Sequence, residues 1–264
     1  MSDDSTRDGT DQTTTVAVNG ATGRMGETVR RVATDREETS VVLGIATGGD
    51  DGELPVVSPA DRREALRTHD VDVVVDFSAA DVIEELARDC ASAGVGLVSG
   101  TTGLDEDGHA ALQAASEDVP VLHATNFSRG LYALLGALEA ALETLPGYDV
   151  EVLETHHNRK QDAPSGTATT ILETIADQRE FETVAGREGL QPREESEVGM
   201  LVRRAGNVRG EHEVMLADND EVLTLTHRAE NRGVFAAGAL DAAGWLVDRE
   251  TGWYTLDNVF DETD

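Results

Sequence analysis

Lysine is almost missing from this chain of 264 residues: of its 21 basic side chains all but Lys160 are arginines. Cysteine is as scarce. A single Cys90 excludes an internal disulfide and leaves no thiol cluster for a metal; within ELARDCASAG it reads as a buried helical thiol. Aromatic residues are 4% of the chain, so the core must be largely aliphatic. No apolar run reaches the length of a membrane span, and the N-terminal MSDDSTRDGTDQTTT has neither the basic nor the apolar region of a secretion signal. Residues 1–12 are expected to form a disordered tail, and the chain is expected to work in the cytoplasm.

Positive charge is the remaining deficit. Fifty-two acidic residues against 21 basic ones leave a formal charge of -31, spread along the sequence rather than gathered in a tail. Such a surface repels nucleic acid and anionic membranes, so neither is expected as a partner. It stays soluble at high salt while straining the compact state by self-repulsion, the balance struck by salt-adapted proteins.

What is present is ordered. TTTVAVNG, a short β-branched run, leads through ATGRMGETVRRVATD with helical spacing to a second apolar run, VVLGIATGG. VDVVVDFS, GVGLVSGTTG and VPVLHATN continue as buried strands, with DVIEELARDCASAG as a helix between the first two. Continuous apolar strands fed by helices predict an α/β domain with a doubly wound parallel sheet of the Rossmann type. This domain should span residues 13–126, with 234–264 returning to it. Residues 127–233 read differently, as α+β: FSRGLYALLGALEAALETL is a helix, YDVEVLETHH a strand and APSGTATTILETIADQ a helix opened by Pro164 at or near its first position. Three strands follow, VGMLVRRA, EHEVMLAD and EVLTLTHRA, the last two joined by a hairpin at Asn219 and Asp220.

Two loops and one segment carry chemistry. GATGRMG puts Gly20, Gly23 and Gly26 between the first strand and helix, where a glycine turn and open helix amides accept a pyrophosphate, with Arg24 in reach of an adenosine phosphate. The second strand ends in Thr47, Gly48 and Gly49, with Asp50 and Asp51 beyond, so the ribose reader is not decided. GTTG at Gly100–Gly103 and HATNFS at His123–Ser128 end later strands and should face the nicotinamide half of such a ligand. The segment THHNRKQDAPSGTATTIL holds Lys160 four residues after His156, then a helix start at Ser165, Gly166 and Thr167, where the amides of Gly166 and Thr167 with the Thr167 hydroxyl make an anion seat. A guanidinium cannot release a proton at working pH, whereas an ammonium can. Lys160 therefore serves as a proton donor, as a compact point charge, or as a Schiff-base amine. His212 and His227 lie on later strands, and no spacing of His, Cys and Asp marks a metal site. A non-catalytic nucleotide-sensing protein would need the glycine loop alone.

ETHHNRKQDAPSGTA resembles the signature segment of the 4-hydroxy-tetrahydrodipicolinate (dihydrodipicolinate) reductase family, and GATGRMG, DFS, GTTG, NFSRG and GEHEVML through HRAENRGVFAAGAL follow in that family's order. The resemblance covers roughly residues 14–260. It implies NAD(P)H-dependent hydride transfer to C4 of the dehydrated dipicolinate ring, followed by protonation, in the diaminopimelate route to lysine. It assigns His156 and Lys160 to proton transfer, and His157, Gly166 and Thr167 to the substrate's carboxylates. It assigns Gly20, Ala21, Thr22, Gly23, Arg24, Met25, Gly100, Thr101, Thr102, Ala124, Thr125, Asn126 and Phe127 to the cofactor, NADPH or NADH. It further implies a small dicarboxylate substrate and a homotetramer, with residues 127–233 as the substrate-binding and oligomerisation domain.

Overall fold

The computed structural model describes residues 13–49, 52 and 54–261. The expected tail at residues 1–12 and the acids Asp50 and Asp51 lie outside the described residues. The chain forms two compact units, one from the described part of Met1–Phe127 with Phe235–Asp264 and the other from Ser128–Val234.

The first unit is built on seven strands in the order β12-β6-β5-β4-β1-β2-β3, every neighbouring pair parallel. They are β1 (Thr14–Asn19), β2 (Thr39–Ile45), β3 (Val56–Val57), β4 (Val73–Asp76), β5 (Gly96–Ser99), β6 (Pro120–His123) and β12 (Gly252–Tyr254). Strand side chains alternate faces, and here both faces are covered. Val16, Val18, Val73 and Val75 enter one core with Val29 of α1 (Arg24–Ala33) and the alanine-rich α7 (Gly233–Leu246). Ala17, Leu43, Val74 and Leu97 enter another with α2 (Arg62–Thr68), α3 (Ile83–Ala93) and α4 (Glu106–Ala115). Burial on two sides is why these strands read as continuous apolar runs. The chain leaves β1 toward β2 and β3, then returns to β4 and runs the other way. The switch point therefore lies between β1 and β4, where open α/β sheets bind ligands beyond the strand ends.

The second unit has a mixed sheet in the order β11-β10-β7-β9-β8: β7 (Asp149–His156), β8 (Glu182–Val184), β9 (Glu197–Arg204), β10 (Glu211–Asp218) and β11 (Glu221–Arg228). β7 is antiparallel to β10 and parallel to β9. Leu134 and Leu138 of α5 (Arg129–Thr144) and Ile171 and Ile175 of α6 (Gly166–Ala176) pack with Val150, Val152, Val214 and Leu216 on one face. The β10–β11 hairpin turns at Asn219 and Asp220, both with positive φ (50° and 61°), as a two-residue turn between twisted strands requires.

Some details depart from the sequence pattern. The strands β3, β8 and β12 have two or three residues each, too short to show a period. Pro164 is not in the first turn of α6: Ser165 is the N-cap and the helix begins at Gly166, leaving Pro164 one residue outside. A side-chain oxygen at the cap accepts an amide hydrogen bond that proline's position cannot supply, and Ser165 does so from Ala168.

Candidate active site

In the first unit the three expected loops lie at the carboxyl ends of β1, β5 and β6. Gly20 has φ +77°, and its amide bonds Ile45 O at 2.9 Å. Gly23 is the N-cap of α1 without a side-chain cap, so the amides of the first turn face outward, with Arg24 exposed at its first residue. A Cβ on Gly26 would collide with the Gly20 carbonyl, so the loop closes tightly only because that side chain is missing. A backbone cradle bounded by glycines, at a helix start with open amides, fits a pyrophosphate.

Beneath the loops sits a buried polar knot that the sequence did not single out. Asp76, the last residue of β4, is 0% exposed and accepts from Asn19 Nδ2 (2.8 Å), Ser78 Oγ (2.6 Å), Ser99 Oγ (2.8 Å) and Thr101 Oγ1 (2.8 Å). One carboxylate thus ties the ends of β1, β4 and β5 to the loop at Gly100, Thr101 and Thr102. A Cβ on Gly100 would collide with the Phe77 ring, and Phe77 meets Phe127 edge-on at 5.8 Å. His123 bonds Thr101 O at 3.0 Å, and burial lowers its pKa. Ala124, Thr125 and Asn126 continue from β6 at the rim, Thr125 exposed, and Phe127 is buried. Ala21 is buried and Thr22 exposed, with Thr22 in contact range of a Cβ on Gly49; Met25 is half-buried against the core.

In the second unit β7 alternates strictly, so Val150, Val152, Glu154 and His156 share the buried face. The strand then breaks. His157 is half-buried just past it, and Lys160 N bonds His157 O at 3.1 Å to close a turn. Lys160 Nζ lies 2.7 Å from Asp162 Oδ2, and this contact holds the Asp162 carboxyl below its usual range. Burial lowers the pKa of His157, and Arg159, Arg232 and Lys160 reinforce this, so cations gather around it. Gly166, at the first position of α6, is exposed with open space where a Cβ would stand, and Thr167 is half-buried beside it. His156, His157, Lys160, Gly166 and Thr167 are thus drawn to one end of β7 and the start of α6.

The structure adds Glu154 and Arg204, and brings Ser165 and His212 into contact with them. Glu154 is fully buried, 2.8 Å from Arg204 Nη2, and accepts from Ser165 N–H on both oxygens at 3.2 Å. Burial pulls its pKa up, but the bonds from Ser165 and Arg204 outweigh it and leave the carboxyl below its ordinary value. His212 lies opposite Glu154 in the β7–β10 register, and its Nε2 is 3.2 Å from Ser165 Oγ. Burial lowers its pKa to about 4, with His156 adding to the effect. Burial likewise holds His156 below its ordinary value, against the raising effect of Glu154. Among the described residues Glu154, His156 and His212 form a group whose ligand atoms lie within 4.8 Å of one another, a metal-like spacing invisible in sequence. Its carboxylate is already engaged by Arg204 and Ser165, so the group reads as a hydrogen-bonded network. His227, the other strand histidine, bonds Ser128 at 3.0 Å instead.

The first unit thus carries a glycine-bounded cradle at a sheet switch point, and the second a cluster of His156, His157 and Lys160 near the start of α6, features of the oxidoreductase class. The chain belongs to the dihydrodipicolinate reductase family: the family's N-terminal domain matches residues 14–127 and its C-terminal domain residues 114–260. It is 58% identical to the 4-hydroxy-tetrahydrodipicolinate reductase of Haloarcula marismortui over 94% of this chain and 99% of that one. With the enzyme of the same name from Natronomonas pharaonis it shares 50% identity over 92% and 99% of the two chains. A dipicolinate-bound dihydrodipicolinate reductase from Paenisporosarcina sp. TG-14 has the same fold, with a TM-score of 0.79 at 22% identity, covering 94% of this chain and 100% of that one. No helix among the described residues is long and apolar enough to cross a membrane.

Proposed function

We propose that the chain reduces 4-hydroxy-tetrahydrodipicolinate, by way of the dehydrated ring, to tetrahydrodipicolinate with NADPH or NADH, in the diaminopimelate route to lysine. The observation that carries this reading is the clustering of His156, Lys160 and the α6 N-terminus within one short segment, on a sheet separate from the nucleotide cradle. Gly20–Met25, Gly100–Thr102 and Ala124–Phe127 are the residues that would hold a nicotinamide, whose chemistry would be to provide the hydride for ring C4. The protein's own groups do the rest. The Gly166 and Thr167 amides take one carboxylate at the helix start. His157, which feels the positive charge of Arg159, Arg232 and Lys160, takes the other. Lys160 donates the proton that balances the hydride, and neutral His156 exchanges protons with it. Electrostatic preorganisation of this kind contributes most where charge develops. Lys160 is ion-paired with Asp162, whereas a Schiff-base lysine needs a free amine, and this favours proton transfer over imine formation.

Arg24 is the group suited to the extra phosphate of NADPH. The open face of the second sheet, where Leu201 is 41% and Val222 63% exposed, suits burial against further copies and supports a homotetramer. The test is nicotinamide oxidation, followed by absorbance with the enzymatically generated substrate, using each cofactor at low and high potassium chloride. Oxidation is expected at high salt. Its absence with both cofactors at every salt would defeat the proposal. Light scattering in the same buffers checks the tetramer.

A further inference from the structure

We infer that Glu154 is a positioning residue for proton transfer: its buried carboxylate holds the His156 ring from the Nδ1 side, leaving Nε2 as the nitrogen that exchanges protons. The inference rests on the reductase reading above, and its test is arranged so that the two can fail separately.

A carboxylate with 0% exposure is expensive to bury unless it is paired and hydrogen-bonded. Glu154 is held on several sides and its two oxygens are divided in use. Oε1 takes the Arg204 guanidinium at 2.8 Å, while the Ser165 amide spans both oxygens. Oε2 is turned to His156, 3.3 Å from Nδ1, and lies 3.8 Å from His212 Nε2. His156 Nδ1 is itself buried and makes no well-aligned hydrogen bond, so Oε2 is its nearest charged acceptor, at ion-pair distance but off the N–H direction.

The other side of the ring is kept clear. A Cβ on residue 210 would lie 3.2 Å from His156 Nε2, and that residue is Gly210. The His212 ring braces His156 edge-on, 5.2 Å away at 71°. Two spacings put the parts in place. Glu154 and His156 are two apart on one strand and so share a face, and Ser165 caps α6 so that its own amide points back at the strand. The carboxylate thus joins the helix that seats the substrate's anion to the imidazole that moves its proton. A carboxylate beside Nδ1 favours the neutral imidazole that keeps its hydrogen on that nitrogen, and such a tautomer presents a lone pair at Nε2.

Glu154→Gln, alone and combined with His156→Ala, tests this. With His156 present, kcat should fall about tenfold or more, a share of the roughly 100- to 10,000-fold that a positioned acid–base group contributes. With His156 already removed, Glu154→Gln should cost nothing further, because it acts through the ring. The acidic limb of the kcat/KM profile should also move to lower pH. Glu154 and Asp162 raise the His156 pKa while Lys160 and Arg204 lower it, and His212 facing it stays neutral; deleting the Glu154 charge leaves the lowering groups in excess. Equal fold-losses in both backgrounds, or an unmoved limb, would overturn the inference and mark Glu154 as a structural partner of Arg204. Should Glu154→Gln fail to fold, Glu154→Asp keeps the charge and withdraws it by one methylene. Its loss of kcat should likewise vanish beside His156→Ala, and an equal loss there overturns the inference. Inactivity of the unmodified protein defeats the reductase reading instead, before any variant is compared.

Discussion

Lys160 carries a charge that arginine supplies at every other basic position, and what sets the two side chains apart is that an ammonium can release a proton and a guanidinium cannot. Lys160→Arg keeps a cation opposite Asp162 but cannot release a proton at working pH. Both Lys160→Arg and Lys160→Ala should therefore lower kcat by about 100-fold or more while cofactor affinity, read by fluorescence titration, stays within a factor of a few. Full activity in Lys160→Arg would reduce the residue to a point charge. His156, His157, Lys160, Gly166 and Thr167 were legible in the sequence because they crowd into a dozen consecutive residues. Glu154, Arg204 and His212 were not, since a strand pairing puts His212 opposite Glu154 and Arg204 beside His156. Only Glu154 left a trace, through its same-face spacing to His156.

The glycine loop shows the same limit at the scale of elements. Its three-residue glycine spacing announced a turn into a helix, and the tight fit at Gly26 is the physical reason for it. Gly26→Ala sets a methyl group against the Gly20 carbonyl and the Ala21 Cα, both backbone atoms that cannot step aside. The change should abolish measurable nicotinamide binding, or melt the first unit, while the second unit's sheet, which shares none of that packing, keeps its secondary structure. Circular dichroism alongside cofactor titration separates the outcomes, and normal binding would show that the loop relaxes. The helices α3 and α5 were readable because burial of one face imposes a period on them, and β1 and β4 because burial of both faces makes them continuous apolar runs. Two-residue β3 and three-residue β8 and β12 carry no period. The Asp76 knot was unreadable for another reason: its donors come from three strand ends that only the sheet order makes neighbours.

Across the whole molecule two electrostatic terms act on stability, and they separate by pH and salt. A formal charge of -31 repels itself, and added salt screens that repulsion over about 10 Å at 0.1 M and about 3 Å at 1 M. The melting temperature at pH 7 should accordingly climb with potassium chloride. The second term is buried histidine. Burial lowers the pKa of His123, His156, His212 and His227, the largest shift being His212, to about 4. A histidine depressed in the folded state binds its proton more readily when unfolded, so stability is lost as pH falls from the unfolded value near 6.5 toward the folded one. For His212 the full window is worth on the order of 3 kcal/mol. Glu154, depressed by Ser165 and Arg204, adds a loss only below its unfolded value near 4.5. At fixed high salt, where self-repulsion is screened, the melting temperature should therefore fall steadily between about pH 6.5 and pH 4.5, before the carboxylates contribute. Replacing His212 with a leucine removes its titration and should flatten that slope without touching the salt dependence at pH 7. An unchanged slope would mean that His212 finds a protonated arrangement with Glu154, turning the buried pair into an ion pair rather than a liability.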